Sequence, residues 1–325
     1  MAEEELKNKN ILVTGSAGFI GFHTAKRLLE IGVNVIGVDD FNSYYDPKLK
    51  EQRNKILEGY PNYKLCRGDL SKQDFVESIF KENKVDKVCH LAAQPAVRYS
   101  LENPSAYIQS NIVAFVNVLE GIRNNGVKDF VYASSSSVYG NNKKTPFSIE
   151  DSVDQPISLY AATKKSNEII AYTYHHLFGM HVTGLRFFTV IGPFSRPDMA
   201  LMLFTDSIVN DKPIKVFNFG KMKRDFTYVG DIVEGIILAL VKAKDYNIFN
   251  LGNNNPVELE YFISLLEKEL GKKAIREYLE MKQGDVLETH ADIEHTKKHL
   301  GWEPKTPIEE SVRLFVEWYN IYHQL

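Results

Sequence analysis

Apolar residues in the first half of the chain form short β-branched runs that alternate with longer amphipathic stretches. Each run suits one buried strand, and each stretch repeats its apolar residues at helical spacing. The pattern predicts strands at 10–14, 33–39, 64–67, 87–92, 129–135 and 181–187. It predicts helices near 19–31, 47–58, 72–82, 104–125 and 159–178. Such alternation favours an α/β fold, a doubly wound parallel sheet with helices on both faces.

The alternation loosens after residue 186 and predicts a smaller α/β unit. Strands are expected near 214–218 and 246–251, and helices near 199–210, 230–243, 256–270 and 307–322. We therefore expect a larger domain over residues 1–186 and a smaller one over 187–325, with segments of the two interleaved. A chain of 325 residues exceeds what one hydrophobic core normally supports, which agrees with two units.

Composition excludes several classes of protein. The net charge is −3 and no basic block occurs, so nucleic-acid binding has little electrostatic support. Two cysteines make no disulfide framework, and both lie in apolar runs typical of buried thiols. The first ten residues, MAEEELKNKN, are acidic, and no apolar run approaches the ~20 residues of a membrane span. We expect a cytoplasmic protein.

Glycines follow the first strand in ILVTGSAGFIGFHTAKRLL, at positions 15, 18 and 21. At this spacing they allow a tight turn, close approach of backbone to a pyrophosphate, and close packing of helix on strand. Asp39 ends the second strand, where a carboxylate can accept both ribose hydroxyls and would repel a 2′-phosphate. The pattern predicts NAD rather than NADP, against the alternative of a plain turn and a strand-end cap. Asp69 could contact adenine or cap the next helix.

Tyr160 and Lys164 are four residues apart on a predicted helix and therefore share one face. A phenol is a poor base at neutral pH, but a nearby ammonium and a positive nicotinamide ring would lower its pKa. The serine run at 134–137 ends the preceding strand, where active sites of open α/β sheets gather. This context favours an acid–base pair over surface decoration.

Arg196 lies between two prolines in GLRFFTVIGPFSRPDMALMLF, a strand that breaks into a stiff turn. The planar guanidinium matches carboxylate or phosphate, so an arginine in such a turn is expected to bind an anion. The alternative is a structural arginine that satisfies carbonyl groups of its own loop.

Together these motifs resemble the extended short-chain dehydrogenase/reductase superfamily and, within it, the nucleotide-sugar epimerases. The resemblance covers nearly the whole chain, through GSAGFIG, HLAAQPAVRYS, ASSSSVYG, YAATK and KMKRDFTYVGDIVEG. The segments RFFTVIGPFSRPDMA and GKMKRDFTYVGDIVEGI are the most specific and resemble UDP-glucuronate 4-epimerases. The resemblance implies a Rossmann domain that carries the catalytic pair and a smaller domain that binds the nucleotide sugar.

The resemblance implies a reaction in which tightly held NAD oxidises the sugar at carbon 4, the ketone turns over, and the hydride returns to its other face. UDP-glucuronate would become UDP-galacturonate in an isomerase of this kind. Tyr160 would act as base and then acid, Lys164 would tune it, and Ser136 and Ser137 would hold substrate oxygens. The implied cofactor contacts are Tyr160 and Lys164 with Gly15, Ala17, Gly18, Phe19, Ile20, Gly21, Asp39, Asn42, Asp69, Leu70, Leu91, Ala92 and Ala93.

For the sugar, the resemblance places Thr189 and Arg196 at the carboxylate. Oxidation of glucuronate at carbon 4 makes a β-keto acid, which loses carbon dioxide unless its carboxylate is held out of alignment. Arg224 would bind the UDP phosphates and Phe217 would pack near the uracil. Further implied substrate contacts are Ser136, Ser137, Arg98 and Lys282, without a metal. Surplus apolar residues on helices 104–125 and 159–178 suit a homodimer interface, although burial within one chain would also explain them.

The chain departs from the family pattern at TVYGPW, where Ile191 and Phe194 replace a tyrosine and a tryptophan, and at GRP, where Ser195 replaces the glycine. Such changes could reshape the sugar pocket, so a 4-epimerase of neutral sugars such as UDP-N-acetylglucosamine or UDP-glucose stays open. A UDP-glucuronate decarboxylase is a further alternative, but that family carries glutamate where this chain has Ser137. A non-catalytic NAD-binding sensor would not need the intact Tyr160 and Lys164.

Overall fold

The structure is a computed structural model that describes residues 2–242, 244–281 and 286–324. Its strands are β1 Asn10–Thr14, β2 Asn34–Asp39, β3 Tyr63–Arg67, β4 Lys87–His90, β5 Asp129–Ser135, β6 His181–Phe187, β7 Thr189–Ile191, β8 Pro213–Phe217, β9 Lys223–Tyr228, β10 Tyr246–Leu251, β11 Pro256–Glu258 and β12 Ile275–Leu279. The six strands predicted in the first half are confirmed, with bounds that shift by at most two residues.

The α-helices surround these strands. They are α1 Ala2–Leu6, α2 Phe19–Glu30, α3 Lys48–Glu58, α4 Gln73–Glu82, α5 Tyr99–Glu102, α6 Pro104–Tyr107, α7 Ala114–Asn124, α8 Leu159–Phe178, α9 Ala200–Val209, α10 Val229–Lys242, α11 Leu259–Leu270, α12 Glu294–Leu300 and α13 Ile308–His323. In the described parts of the chain, no helix is long and apolar enough to cross a membrane.

The central sheet has seven parallel strands in the order β10-β6-β5-β4-β1-β2-β3. The doubly wound α/β prediction is therefore confirmed. Alternate residues of each strand point to opposite faces, so Ile11 and Val13 enter the core beneath α2 and α10, whereas Leu12 enters the core beneath α4 and α7. All of the strands run the same way, so their carboxyl ends meet at one edge of the sheet.

One strand lies elsewhere than predicted. The strand near 246–251 was expected in the smaller unit, but β10 pairs in parallel with β6, from Tyr246 beside Val182 to Leu251 beside Phe187. Strand pairing depends on the crossover through α10, a long-range feature that the local pattern does not contain. The division at residue 186 stays a prediction, since the chain returns to the large sheet after it.

The remaining strands form two small sheets, β11-β9-β7 and β12-β8. A third core, with Phe226, Phe262 and Phe315 at its centre, holds these sheets against α9, α11 and α13. The sequence pattern missed β7, β9, β11 and β12, which have three to six residues each. Strands this short carry too few alternations to stand out from loops.

The helix predicted over 104–125 is interrupted. Residues Ile108–Val113 form a π-helical turn between α6 and α7. This turn places Asn111 where its Oδ1 accepts from the Gln94 backbone N–H at 2.7 Å, and its Nδ2 donates to Thr163 Oγ1 at 3.0 Å. The bulge thus ties the loop after β4 to α8. π-Bulges are frequent at functional sites, and this one borders the main cavity.

Candidate active site

A cavity of about 490 Å³ opens at the carboxyl edge of the central sheet. Residues that follow or end β1 to β6 line it, from the glycine turn after β1 to Phe187 at the end of β6. Its far wall comes from the smaller unit, through Thr189, Arg196, Arg224 and Thr289. This is the position in which open α/β sheets bind their ligands.

The glycine turn is built for close backbone contact. Gly15 has φ +70°, and a Cβ there would lie 2.8 Å from the backbone nitrogen of Ala92. A Cβ on Gly21 would lie 1.9 Å from the Gly15 carbonyl oxygen. The turn therefore fits tightly against both the loop after β4 and its own helix. Helix α2 begins at Phe19, and its N-cap Gly18 makes no side-chain cap, so the positive end of the helix dipole at the cavity edge favours an anion.

Asp39 ends β2 on the cavity wall and is 6% exposed. Its Oδ1 accepts from Lys50 Nζ at 3.0 Å and from the Phe41 backbone N–H, and its Oδ2 accepts from the Ala17 N–H at 3.2 Å. A carboxylate has about four acceptor sites, so capacity remains for a hydroxyl ligand. The sequence reasoning missed the contact with Lys50, which reduces the repulsion that Asp39 would exert on a 2′-phosphate.

Most predicted cofactor contacts line the cavity together: Gly15, Gly18, Phe19, Ile20, Gly21, Asp39, Asn42, Asp69, Leu70, Leu91, Ala92, Ala93, Tyr160 and Lys164. Ala17 does not line it. That residue is fully buried behind the turn, where its backbone binds Asp39 and Arg53. The alternative for Asp69 as a helix cap is wrong, because α4 is capped at Lys72, while Asp69 accepts from Ser71 in the turn before it.

Tyr160 and Lys164 lie on the first turns of α8, which Ser158 caps through the Ala161 N–H. Lys164 is 3% exposed, and its Nζ donates to the Ala133 carbonyl of β5 at 2.8 Å. Burial lowers the pKa of Lys164 to about 8. The helix and the strand end thus hold both groups at the cavity wall.

The predicted lowering of the Tyr160 pKa includes the charge of the nicotinamide ring and so stays a prediction. Burial raises the pKa of Tyr160, while hydrogen bonding with Ser135 and the positive charge of Arg196 act to lower it. In the protein alone the net shift is upward, so Lys164 does not by itself bring the phenol into the neutral range. The cation that acts on Tyr160 comes from the opposite wall.

Ser135, which the sequence reasoning did not select, is the serine whose hydrogen bonding acts to lower the pKa of Tyr160. Its Oγ also accepts from the Ser137 hydroxyl at 2.9 Å. Ser136 and Ser137 begin a 3₁₀ turn and line the cavity with Ser135. Four consecutive serines gave no means of choosing among them, since the choice depends on the residue at which β5 ends.

Arg196 is partnered by its own chain. Its Nε donates to Asp198 Oδ1 at 2.9 Å and its Nη2 donates to Asp198 Oδ2 at 3.0 Å. The Tyr44 hydroxyl donates to the same Oδ2 at 3.1 Å. Arg196, predicted to bind an anion, thus binds the carboxylate of Asp198 in its own loop. The alternative that Arg196 satisfies loop carbonyls is not what its hydrogen bonds show.

The other predicted substrate residues separate into two groups. Thr189, Arg224, Ser136 and Ser137 line the cavity with Arg196, and Arg224 Nη1 also donates to the Lys223 carbonyl. Arg98 and Phe217 do not line it but contact each other, with the guanidinium carbon 5.2 Å from the ring centre. Lys282 lies outside the described residues.

The departures from the family pattern at Ile191, Phe194 and Ser195 lie outside the cavity lining. Ile191 is buried in the small-unit core, and Phe194 packs on Phe22 and Trp318 with ring centres 4.9 Å apart in both cases. Neither lines the cavity. These residues therefore do not contact the cavity directly, and the expected change in the shape of the sugar pocket is not explained by them.

Comparison with known proteins agrees with this geometry. A family model described as GDP-mannose 4,6 dehydratase matches residues 12–315. UDP-glucuronate 4-epimerase 4 of Arabidopsis thaliana is 45% identical over 331 residues, covering 96% of this chain and 76% of that protein.

Two solved structures cover nearly the whole chain. The UDP-glucuronic acid 4-epimerase of Bacillus cereus, in complex with UDP-glucuronic acid and NAD, is 33% identical with a TM-score of 0.90, covering 96% of this chain and 99% of that one. The UDP-glucose 4-epimerase of Thermotoga maritima, with UDP-glucose, is 31% identical with a TM-score of 0.88, covering 97% and 99%.

Proposed function

Since the chain belongs to the GDP-mannose 4,6-dehydratase family, we propose that it is an NAD-dependent UDP-glucuronate 4-epimerase that interconverts UDP-glucuronate and UDP-galacturonate. At the coarser level it is an isomerase, a nucleotide-sugar 4-epimerase, as its relatives are. The observation that carries the choice of substrate is Arg196, a guanidinium on the cavity wall that also acts on Tyr160.

NAD is the cofactor, and the site fits it. The cradle formed by Gly15 and Gly21 has no room for a Cβ, so backbone can approach a pyrophosphate. Asp39 would accept from the ribose hydroxyls, and Lys164 would lie on the nicotinamide side. When bound, NAD supplies reversible oxidation and reduction at carbon 4.

The protein's own groups supply the proton transfer. Tyr160 would take the proton of the carbon-4 hydroxyl and return it, with Ser135 hydrogen-bonded to the phenol and the Arg196 charge favouring phenolate. Ser136, Ser137 and Thr189 would hold sugar oxygens from the same wall. Arg224, on the cavity wall, would hold the UDP phosphates. Phe217, which contacts Arg98 outside the lining, would pack near the uracil.

Elimination and decarboxylation fit the lining less well. Among the described lining residues the acidic ones are Asp39, Asp40 and Asp69, which follow β2 and β3 at the predicted adenosine end. Beside Tyr160 the strand end offers hydroxyls. A dehydratase needs an acid–base group there in addition to the tyrosine, and this lining gives no carboxyl for that role. Epimerisation needs the tyrosine alone.

The substrate test compares three sugars. Purified protein is incubated separately with UDP-glucuronate, UDP-glucose and UDP-N-acetylglucosamine, and products are identified by mass and by NMR at carbon 4. We expect UDP-galacturonate from the first at a rate at least tenfold above the other two. A faster reaction of a neutral sugar would contradict the proposed substrate and favour a 4-epimerase of neutral UDP-sugars. A UDP-pentose product would indicate a UDP-glucuronate decarboxylase.

We also propose that two copies associate through α8 and the 104–125 segment. Ile169 and Leu177 of α8 are 57% and 61% exposed, and Ile108 is 42% exposed, which is unusual for large apolar side chains on helices. Phe115, another apolar residue of the 104–125 segment, is buried in the chain's own core. Sedimentation of wild type and Leu177→Glu tests this, with a dimer expected for the first and a monomer for the second.

A further inference from the structure

The ion pair between Arg196 and Asp198 leaves part of the guanidinium unused. Asp198 occupies the edge formed by Nε and one Nη2 hydrogen, and Tyr44 binds the same carboxylate. Within the described residues, Nη1 has no hydrogen-bond partner. Arg196 therefore has a second, end-on fork of N–H groups that can donate to another carboxylate without breaking the first pair.

The negative charge of Asp198 weakens the binding of a second carboxylate to Arg196. The side chains of Arg196 and Asp198 are 24% and 26% exposed, so their charges are incompletely screened. A lone guanidinium in this position would attract a sugar carboxylate at full strength, whereas the adjacent Asp198 repels it. Other cations around the cavity are engaged, since Lys50 pairs with Asp39, Lys164 donates to a carbonyl, and Arg53 donates to the Ala17 and Phe194 carbonyls.

A 4-epimerase has a reason to hold this group only moderately. One Tyr160 serves both faces of carbon 4, so the keto sugar has to turn within the cavity between the two halves of the reaction. Its carboxylate is attached at the neighbouring carbon and cannot stay in one place while the ring turns. Separating it from an unpaired, partly buried guanidinium would leave an uncompensated charge, which is strongly unfavourable.

We propose that Asp198 is the counter-ion of Arg196 that limits how tightly the site holds the sugar carboxylate, and so permits the keto sugar to turn. Tyr44 holds Asp198 in place from the loop after β2. Asp198 is a positioning residue, because it acts through Arg196. This inference rests on the proposed function, since it assumes a substrate that carries a carboxylate.

The test removes the charge and keeps the shape. Asp198→Asn retains one acceptor for Arg196 but no negative charge. We expect the dissociation constant of UDP-glucuronate, measured by calorimetry, to fall about tenfold, because one repelling charge is lost. Affinity for UDP alone should not change. In turnover, kcat should fall with KM, because the carboxylate is released more slowly.

Asp211→Asn is the matched control, since it neutralises an exposed carboxylate that does not line the cavity, and it should change the affinity less than twofold. Asp198→Ser provides a second neutral variant if the asparagine protein does not fold. Weaker or unchanged binding of UDP-glucuronate in both neutral variants, or equal changes for UDP, would overturn the counter-ion role. If wild type itself binds UDP-glucuronate no better than UDP-glucose, the proposed substrate fails instead.

Discussion

The two walls of the cavity recognise their ligands in different ways. The wall after β1 is made of backbone, where Gly15 and Gly21 leave no room for a side chain. The wall from residues 189–199 is made of side-chain charge, where Asp198 accepts from Arg196 and also from Tyr44 of the loop after β2. A backbone site admits or excludes a ligand by shape, whereas a charged site can be tuned by one substitution. The first suits a cofactor that stays bound, and the second a substrate that leaves.

Arg53 connects the two walls. Its guanidinium is completely buried and donates to the Ala17 carbonyl of the glycine turn, the Tyr45 hydroxyl, and the Phe194 carbonyl. The loop that carries Arg196 is thereby fixed to the turn that would bind the pyrophosphate. Substitutions that test one wall therefore have to leave Arg53 and its contacts intact, so that their effects can be assigned to that wall alone.

The largest effect is expected from filling the backbone wall. Gly21→Ala places a methyl group within 1.9 Å of the Gly15 oxygen, so the turn has to move and the cofactor site is lost. Wild type should release near-stoichiometric NAD on denaturation, and the variant almost none. Gly126→Ala, at a positive φ but with no atom within 4 Å of the new Cβ, is the control and should keep its NAD. Equal NAD content in all three proteins would show that the turn does not hold the cofactor.

The second-largest effect is expected from removal of the acid–base group, the Tyr160 hydroxyl. Tyr160→Phe is expected to lower kcat by ~10²–10⁴-fold with little change in UDP-sugar binding, because the ring packs either way. Ser135→Ala and Ser137→Ala separate the serines, and the first should cost more because Ser135 binds the phenol. If Tyr160→Phe retained most of its turnover, another residue would have to move the proton.

The charged wall should respond more moderately. Arg196→Ala removes a charge-assisted contact worth ~1.5–3 kcal/mol, so affinity for UDP-glucuronate should fall about tenfold to a hundredfold. UDP-glucose, which lacks the carboxylate, should be affected far less. The variant should also form some UDP-pentose, since the keto acid is no longer held away from decarboxylation. Equal losses on both sugars without pentose would make Arg196 structural.

The smallest effect concerns stability. Burial lowers the pKa of His23 from 6.5 to about 4, and that of His90 to about 3. Unfolded histidines take up protons near pH 6.5 while these stay neutral, so stability falls as pH decreases from about 6.5 towards 4. Between pH 7 and 5 each should cost about 1–2 kcal/mol of unfolding free energy.

His23 contacts the loop of the charged wall, and His90 lies beside the backbone wall. His23 Nε2 donates to the Pro193 carbonyl before Arg196, and His90 Nδ1 lies 2.9 Å from Thr14 Oγ1 beside the glycine turn. Urea unfolding of His23→Gln and His90→Gln at both pH values divides the effect. A wild-type stability that does not change between pH 7 and 5 would contradict both shifts.

The sequence predicted the backbone wall more completely than the charged one. Three glycines between a strand and a helix, with Asp39 about twenty residues on, depend on local spacing that can be read directly. The contacts of Asp39 with Lys50 and of Ser135 with Tyr160 depend on where helices dock, which local spacing does not contain. The sequence places Asp198 two residues after Arg196, but the contact between them depends on the loop conformation, which brings the carboxylate onto the guanidinium.

The most direct test of the proposed reaction follows the hydrogen at carbon 4. UDP-glucuronate carrying deuterium at that carbon is incubated with purified protein, and the products are examined by NMR and mass spectrometry. We predict UDP-galacturonate that keeps its carboxylate and its deuterium at carbon 4, in an equilibrium mixture with the starting sugar. Loss of the deuterium to water, release of carbon dioxide, or no change at carbon 4 would contradict the assignment as a UDP-glucuronate 4-epimerase.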